Sequence, residues 1–151
     1  TQTPSASAAP ASNLIRIPEG TELPVRTRGF LDSCCLAPNA LSLGVLDADV
    51  KGPGGKVVLP AGANVTIQLV EEKNVDGRIT MTFELGSLDF GGRHYVIASA
   101  KGGLEPGARV TFTGAKAGTP EAKLRGLNVH LDNQSYMGFK AETPIVVTLS
   151  S

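Results

Sequence analysis

Apolar side chains recur at every second position over most of the chain, the period of half-buried β-strands. In the clearest run, Arg78 to Leu85, Ile79, Met81, Phe83 and Leu85 share one face and Thr80, Thr82 and Glu84 take the other. Asn64 to Leu69 alternates in the same way, with Val65, Ile67 and Leu69 inward and Asn64, Thr66 and Gln68 outward. Leu88 and Phe90 lead into Gly91-Gly92, a pair that permits positive φ in a two-residue turn, and the chain returns through Tyr95, Ile97 and Ser99. Further strands are expected at Glu22 to Arg28, Leu41 to Val50, Lys56 to Leu59, Arg109 to Thr113, Leu124 to Leu131 and Ile145 to Leu149. One of these slips phase. Leu41, Leu43 and Val45 alternate on odd positions, then Leu46, Ala48 and Val50 on even ones. Because an inserted residue flips the face of a strand, a β-bulge is expected near Gly44.

Glycine and proline interrupt every stretch of helical period. A helical turn is expected only near Pro120 to Leu124, with Thr119 as cap and Pro120 in the first position. An internal echo supports an all-β reading. Ile17-Pro18-Glu19-Gly20-Thr21-Glu22-Leu23-Pro24-Val25 and Leu59-Pro60-Ala61-Gly62-Ala63-Asn64-Val65-Thr66-Ile67 share one pattern, a tight Pro-x-Gly turn launching a strand. Lys140 to Val147 is a looser third copy. The expected fold is all-β, a small β-barrel or sandwich with Gly/Pro-rich turns, formed by residues 13–151 and preceded by an extended Ser/Ala/Pro-rich N-terminal arm, residues 1–12.

These turn-strand units, with Val25-Arg26-Thr27 followed by Leu31-Asp32-Ser33, resemble exported bacterial β-domains of the TrbI/VirB10-like kind, the C-terminal barrel of secretion-channel proteins. That family launches one strand with Pro-x-Gly-Thr-x-Ile-Pro-Val and another with Leu-Pro-x-Gly; the counterparts here are Pro18 to Val25 and Leu59 to Gly62. The likeness spans roughly residues 14–70, with a faint match at 140–149. The chain carries no counterpart of the family's long helical antenna or anchor helix, so the pore-forming role is not carried over. The resemblance implies an exported envelope β-domain, often one that assembles.

Composition narrows the function. The 151 residues carry 14 basic and 14 acidic side chains, which removes the electrostatic footprint of a nucleic-acid binder or of a domain adhering to anionic lipid. No apolar stretch approaches the roughly 18 residues of a membrane-spanning helix, so no membrane insertion is expected. The opening Thr-Gln-Thr-Pro-Ser-Ala-Ser-Ala-Ala-Pro-Ala-Ser is uncharged and typical of the segment next to a removed secretory signal, which predicts a secreted or cell-surface protein, with the periplasm as the alternative.

Candidate chemistry is sparse. Cys34-Cys35 is a strained pair for an internal disulfide, and an extended backbone points the two thiols opposite ways. With no third cysteine in the sequence, an unstrained disulfide joins two chains; a vicinal bridge and two plain buried thiols are the alternatives. His130-Leu131-Asp132, and Asp89 with His94 across the Gly91-Gly92 turn, match no metal-ligand spacing and read as exposed strand faces. Gly52-Pro53-Gly54-Gly55-Lys56 mimics a phosphate loop but precedes no helix, so it reads as a hairpin turn. Asn64-Val65-Thr66 and Asn133-Gln134-Ser135 fit the N-glycosylation pattern, and Thr1, Thr3, Ser5, Ser7 and Ser12 are candidate carriers of O-linked glycans on the arm. No nucleophile elbow, catalytic residue, cofactor site or metal site is expected.

The arm is the remaining candidate. Fixing a dozen small residues costs on the order of 12–24 kcal/mol, so an ordered arm needs a partner, and the most available one is another copy of the chain. Thr1, Pro4 and Pro10 would lie in the arm, and Leu14, Ile15 and Ile17 would anchor it on a neighbour's sheet edge. The sequence thus predicts a non-enzymatic, self-assembling structural subunit, forming filaments by strand exchange and locked by Cys34 and Cys35; a monomeric envelope binding module is the rival reading.

Overall fold

The computed structural model describes residues 14–29, 31–32, 40–102, 105–125 and 129–150. Among the described residues, thirteen strands and one short α-helix occur in this order: β1 (Leu14–Ile17), β2 (Glu22–Thr27), β3 (Leu31–Asp32), β4 (Leu41–Leu46), β5 (Val50–Lys51), β6 (Val57–Leu59), β7 (Asn64–Val75), β8 (Arg78–Phe90), β9 (Arg93–Ser99), β10 (Ala108–Thr113), α1 (Pro120–Arg125), β11 (His130–Leu131), β12 (Tyr136–Ala141) and β13 (Ile145–Ser150). Six strands close a barrel in the order β10-β12-β2-β4-β7-β8, with β8 pairing back onto β10. From the far half of β8 the sheet continues as a flap, β9-β13-β1. Two short pairs, β3 with β11 and β5 with β6, complete the fold, which is the expected all-β barrel.

The strand β8 has two neighbours along one edge. Thr80 to Glu84 pair with Thr113 to Arg109 of β10, and Ser87 to Phe90 pair with Val96 to Arg93 of β9. Between them the register against β7 shifts: Thr66 faces Ser87 while Ile67 faces Leu85, which leaves Gly86 as an extra residue. That bulge changes which parity points inward. Met81, Phe83 and Leu85 are buried before it, and Leu88 is buried after it.

No such shift occurs at Gly44. β4 pairs with β7 in unbroken register from Leu41↔Gln68 to Val45↔Asn64, so the bulge expected there is absent. The even positions Gly44 and Leu46 face the core throughout, and Leu41 and Leu43 point outward, 67% and 58% exposed. The inward site at residue 44 has no room for a side chain: a Cβ there would meet Val25 Cγ1 at 2.8 Å, the Arg26 carbonyl oxygen at 2.9 Å and Ile67 Cδ1 at 3.1 Å. The slip in the hydrophobic pattern is thus settled by exposing two leucines.

The echoed units fold alike. Gly20 and Gly62 take φ of +89° and +91°, and Thr21 and Ala63 donate to the Pro18 and Pro60 carbonyls, both at 3.3 Å. Each glycine N–H donates to the end of another strand, Gly20 to Ala141 and Gly62 to Leu46, both at 2.8 Å. Each strand end answers, Ala141 N–H to Thr21 and Leu46 N–H to Ala63, both at 2.9 Å. Positive φ at the third turn position is what makes glycine necessary at both sites. The third copy does not share this turn: Glu142 N–H donates to Gly107, and the Thr143 hydroxyl donates to Pro106.

Other elements obey local chemistry. Gly91 and Gly92 both adopt positive φ in the β8–β9 hairpin, and Asp76-Gly77 do the same between β7 and β8. The helix α1 is capped as expected, with the Thr119 hydroxyl accepting from Ala122 N–H at 3.3 Å. It covers the first two residues of the stretch Leu124 to Leu131 read as a strand; among the described residues of that stretch, His130–Leu131 is extended. No helix among the described residues is long and apolar enough to cross a membrane.

Two substitutions separate the observed phase of β4 from the bulged alternative. Gly44→Ala should destabilise the domain by about 1–3 kcal/mol through overpacking, whereas Leu41→Ser should stay within about 0.5 kcal/mol of the native chain. Urea denaturation of both variants checks this; a large loss on replacing Leu41 would restore the bulge.

Candidate functional site

The anchors proposed for the arm sit on β1, the last strand of the flap. Leu14 to Ile17 pair antiparallel with Thr148 to Ile145 of β13. Alternation sends Ile15 and Ile17 into the chain's own core, 6% and 1% exposed, and leaves Leu14 and Arg16 outside. Ile15 faces Val147 and Ile17 faces Ile145, both buried, so these isoleucines belong to the same core as the barrel. Within the described chain these residues lie along the molecule's own strand β13. Thr1, Pro4 and Pro10, with the arm's other residues, lie outside the described residues, as do Cys34 and Cys35.

The energetic balance of β1 is close. Burying Ile15 and Ile17 contributes about 1.5–3 kcal/mol each, and ladder hydrogen bonds add about 0.5–1.5 kcal/mol apiece. Fixing the backbone costs about 1–2 kcal/mol per residue. Among the described strands of the nine-stranded sheet, β1 is four residues long and pairs with β13 alone.

The histidines stay apart. His94 Nδ1 lies 2.6 Å from Asp89 Oδ1 across the β8–β9 hairpin, and His130 Nε2 lies 2.8 Å from Asp132 Oδ1 on a different element. Both pairs are exposed, and among the described residues no three His, Cys, Asp or Glu side chains gather as a cation site. Gly52 to Lys56 turn between β5 and β6, with Gly52 N–H donating to the Lys56 carbonyl at 2.8 Å, a hairpin. Of the two glycosylation patterns, Asn64 is exposed at the start of β7, and Asn133 uses its Oδ1 to accept from Gly29 N–H at 2.7 Å.

A polar cluster absent from the sequence-based expectations covers the outer face of β2 and β12. The Tyr136 hydroxyl donates to the Glu22 carboxylate. The Arg26 guanidinium lies over the Tyr136 ring, 5.3 Å from its centroid, and its Nε forms an ion pair with Asp47 Oδ2 at 3.3 Å. Its Nη1 donates to the Gln134 carbonyl at 3.4 Å. The signal is present in the alternation of β2: with Val25 and Thr27 inward, Arg26 and Arg28 must share the outward face.

No family model matches the chain, and no curated protein does. The site is therefore read from its own geometry.

The hydrogen bond to Glu22 is the main reason that Tyr136 holds its proton above the ordinary value of 10.0; desolvation and the carboxylate charge add to it, and Arg26 opposes it. A raised phenol pKa means that its stabilising share is complete below the unfolded value and is lost as pH rises through the folded one. Near-ultraviolet titration should show Tyr136 ionising above 10, and Glu22→Gln should bring it down toward that value. An unchanged titration in the variant would disconnect the pair.

Proposed function

We propose that the chain is a non-enzymatic, exported structural subunit that assembles with other copies of itself through its N-terminal segment. The observation that carries this reading is β1: a short terminal strand, continuous with the Ser/Ala/Pro-rich leader, paired with β13 alone among the described strands. A strand so marginally held exchanges at low cost, because β1 of one copy makes on the β13 of another the contacts it makes at home. Ile15 and Ile17 then fill the same core positions in the neighbour, and the Pro18–Thr21 turn opens as the hinge. Exchange passed from copy to copy builds an open filament unless the rotation closes a ring. Cys34 and Cys35 supply the lock, as disulfides between neighbouring subunits in an oxidising setting.

One observation favours a second reading. Leu41 and Leu43 stand exposed on the barrel wall, and adjacent apolar side chains on a solvent face suit docking. On that reading the chain is a monomeric envelope β-domain serving a larger complex.

Light scattering coupled to size exclusion discriminates between them. The assembling subunit should give species larger than 15.6 kDa that grow with concentration. Removing residues 1–17, β1 included, should abolish that growth while circular dichroism still reports a folded β domain. A monomer at every concentration overturns the assembling reading and leaves the docking domain. Non-reducing gels test the lock: a monomer band without reductant removes the intersubunit disulfides.

A further inference from the structure

A cleft of about 300 Å³ opens where the ends of β2 and β4 meet the Pro60–Gly62 turn and the turn before β12. Its polar wall is Arg26, Arg28, Asp47 and Gln134. Arg26 is fixed before any ligand arrives, by Asp47 through Nε, by the Gln134 carbonyl through Nη1 and by the Tyr136 ring beneath it. These contacts leave Nη2 as its uncommitted end. Arg28 stands two residues along the same face, and among the described residues its guanidinium has no partner. Two guanidinium groups and the single Asp47 carboxylate thus stand among the residues that line the cleft. Nearby, the Glu22 carboxylate is taken by Tyr136 and that of Asp49 by Ala61 N–H.

Gln134 adds a second mark of a built site. It is one of two non-glycine residues at positive φ among those described, at +70°. It is held there by its N–H to the Thr27 carbonyl at 2.9 Å, while Ser135 N–H donates to Thr27 Oγ1 at 3.0 Å. Gln134 takes the third position of the turn that Ser135 N–H closes onto the Asp132 carbonyl at 3.1 Å, where positive φ is required. The Gln134 carboxamide makes no hydrogen bond among the described residues, so its donors remain open toward a ligand.

We propose that this cleft binds a carboxylate group, gripped by Arg26 and Arg28 with the Gln134 carboxamide donating beside them. Planar guanidinium forks match a carboxylate edge and give charge-assisted hydrogen bonds about twice as strong as neutral ones. Phosphate is the other anion such forks accept, but phosphate sites draw on runs of open backbone N–H groups. Here the amides of Ala61 and Gly62 already donate to Asp49 and Leu46. The volume is at the low end for a ligand pocket, which fits a small dicarboxylic acid or one acidic side chain of a peptide. The site lies in the barrel wall, so it stands whether or not copies assemble.

Amide and arginine-Nε NMR of the full chain, titrated at physiological ionic strength with succinate, a glutamate-rich peptide and inorganic phosphate, tests the proposal. Saturable shifts at Arg26, Arg28, Asp47 and Gly62 are expected with a carboxylate. A response to succinate assigns a small acid as the source, and a response to the peptide alone assigns an acidic protein segment. Arg28→Gln should weaken binding about tenfold, the loss of one charged hydrogen-bonding group, with Arg28→Lys intermediate and the fold of both unchanged by circular dichroism. Three results would overturn the site: no saturable shift with either carboxylate, equal affinity in Arg28→Gln, or phosphate binding as tightly as the carboxylates.

Discussion

The barrel and the flap hang on one edge of β8. Its first half supplies the hydrogen bonds that close the barrel against β10, and its last residues supply those that begin the flap at β9. A single strand can serve both neighbours because Gly86 interrupts the ladder between them, and the register shift there turns the inward face from odd to even positions. Leu85 and Leu88, on either side of the bulge, consequently face one core. Without that change of face, the flap would turn its apolar side away from the barrel, and Tyr95, Ile97, Ile145 and Val147 would lose the surface they cover.

Much of the fold was legible because period-two alternation reports burial directly. The runs around Phe83 and Ile67, the Gly91-Gly92 hairpin, the Thr119 cap and the paired Pro-x-Gly turns all arise from local rules that tertiary context left intact. The phase slips were harder to assign, since a slip has two physical remedies. In β8 the chain inserts a residue at Gly86; in β4 it leaves the ladder regular and exposes Leu41 and Leu43. The pattern of apolar residues is ambiguous between these, and the deciding fact is the close approach of Val25 and Ile67 to Gly44, which is a property of packing. The helix α1 forms where its cap and first-position proline predict it, and it runs on to Arg125, into the stretch also read as a strand.

The candidate surfaces divide in the same way. That Leu14 to Ile17 would lie along a sheet edge was readable from their apolar character, but not whose edge it would be. The answer depends on β13, which lies at the opposite end of the sequence. The arginine cleft was hidden for another reason. Arg26 and Arg28 reveal their shared face by spacing, but Asp47, Gln134 and Tyr136 join them only when β2, β4 and β12 come together in space.

The duplicated turn has a consequence for the order in which the molecule is made. Gly62 finds its partner at Leu46, a short way back along the chain, whereas Gly20 must wait for Ala141, near the opposite end. A nascent chain can therefore fold the second copy of the unit early, while the first copy has no counterpart until almost the whole domain has left the ribosome. β1 waits longer still, since its partner β13 comes last in chain order among the described strands. For that interval β1 stands without the strand it pairs with.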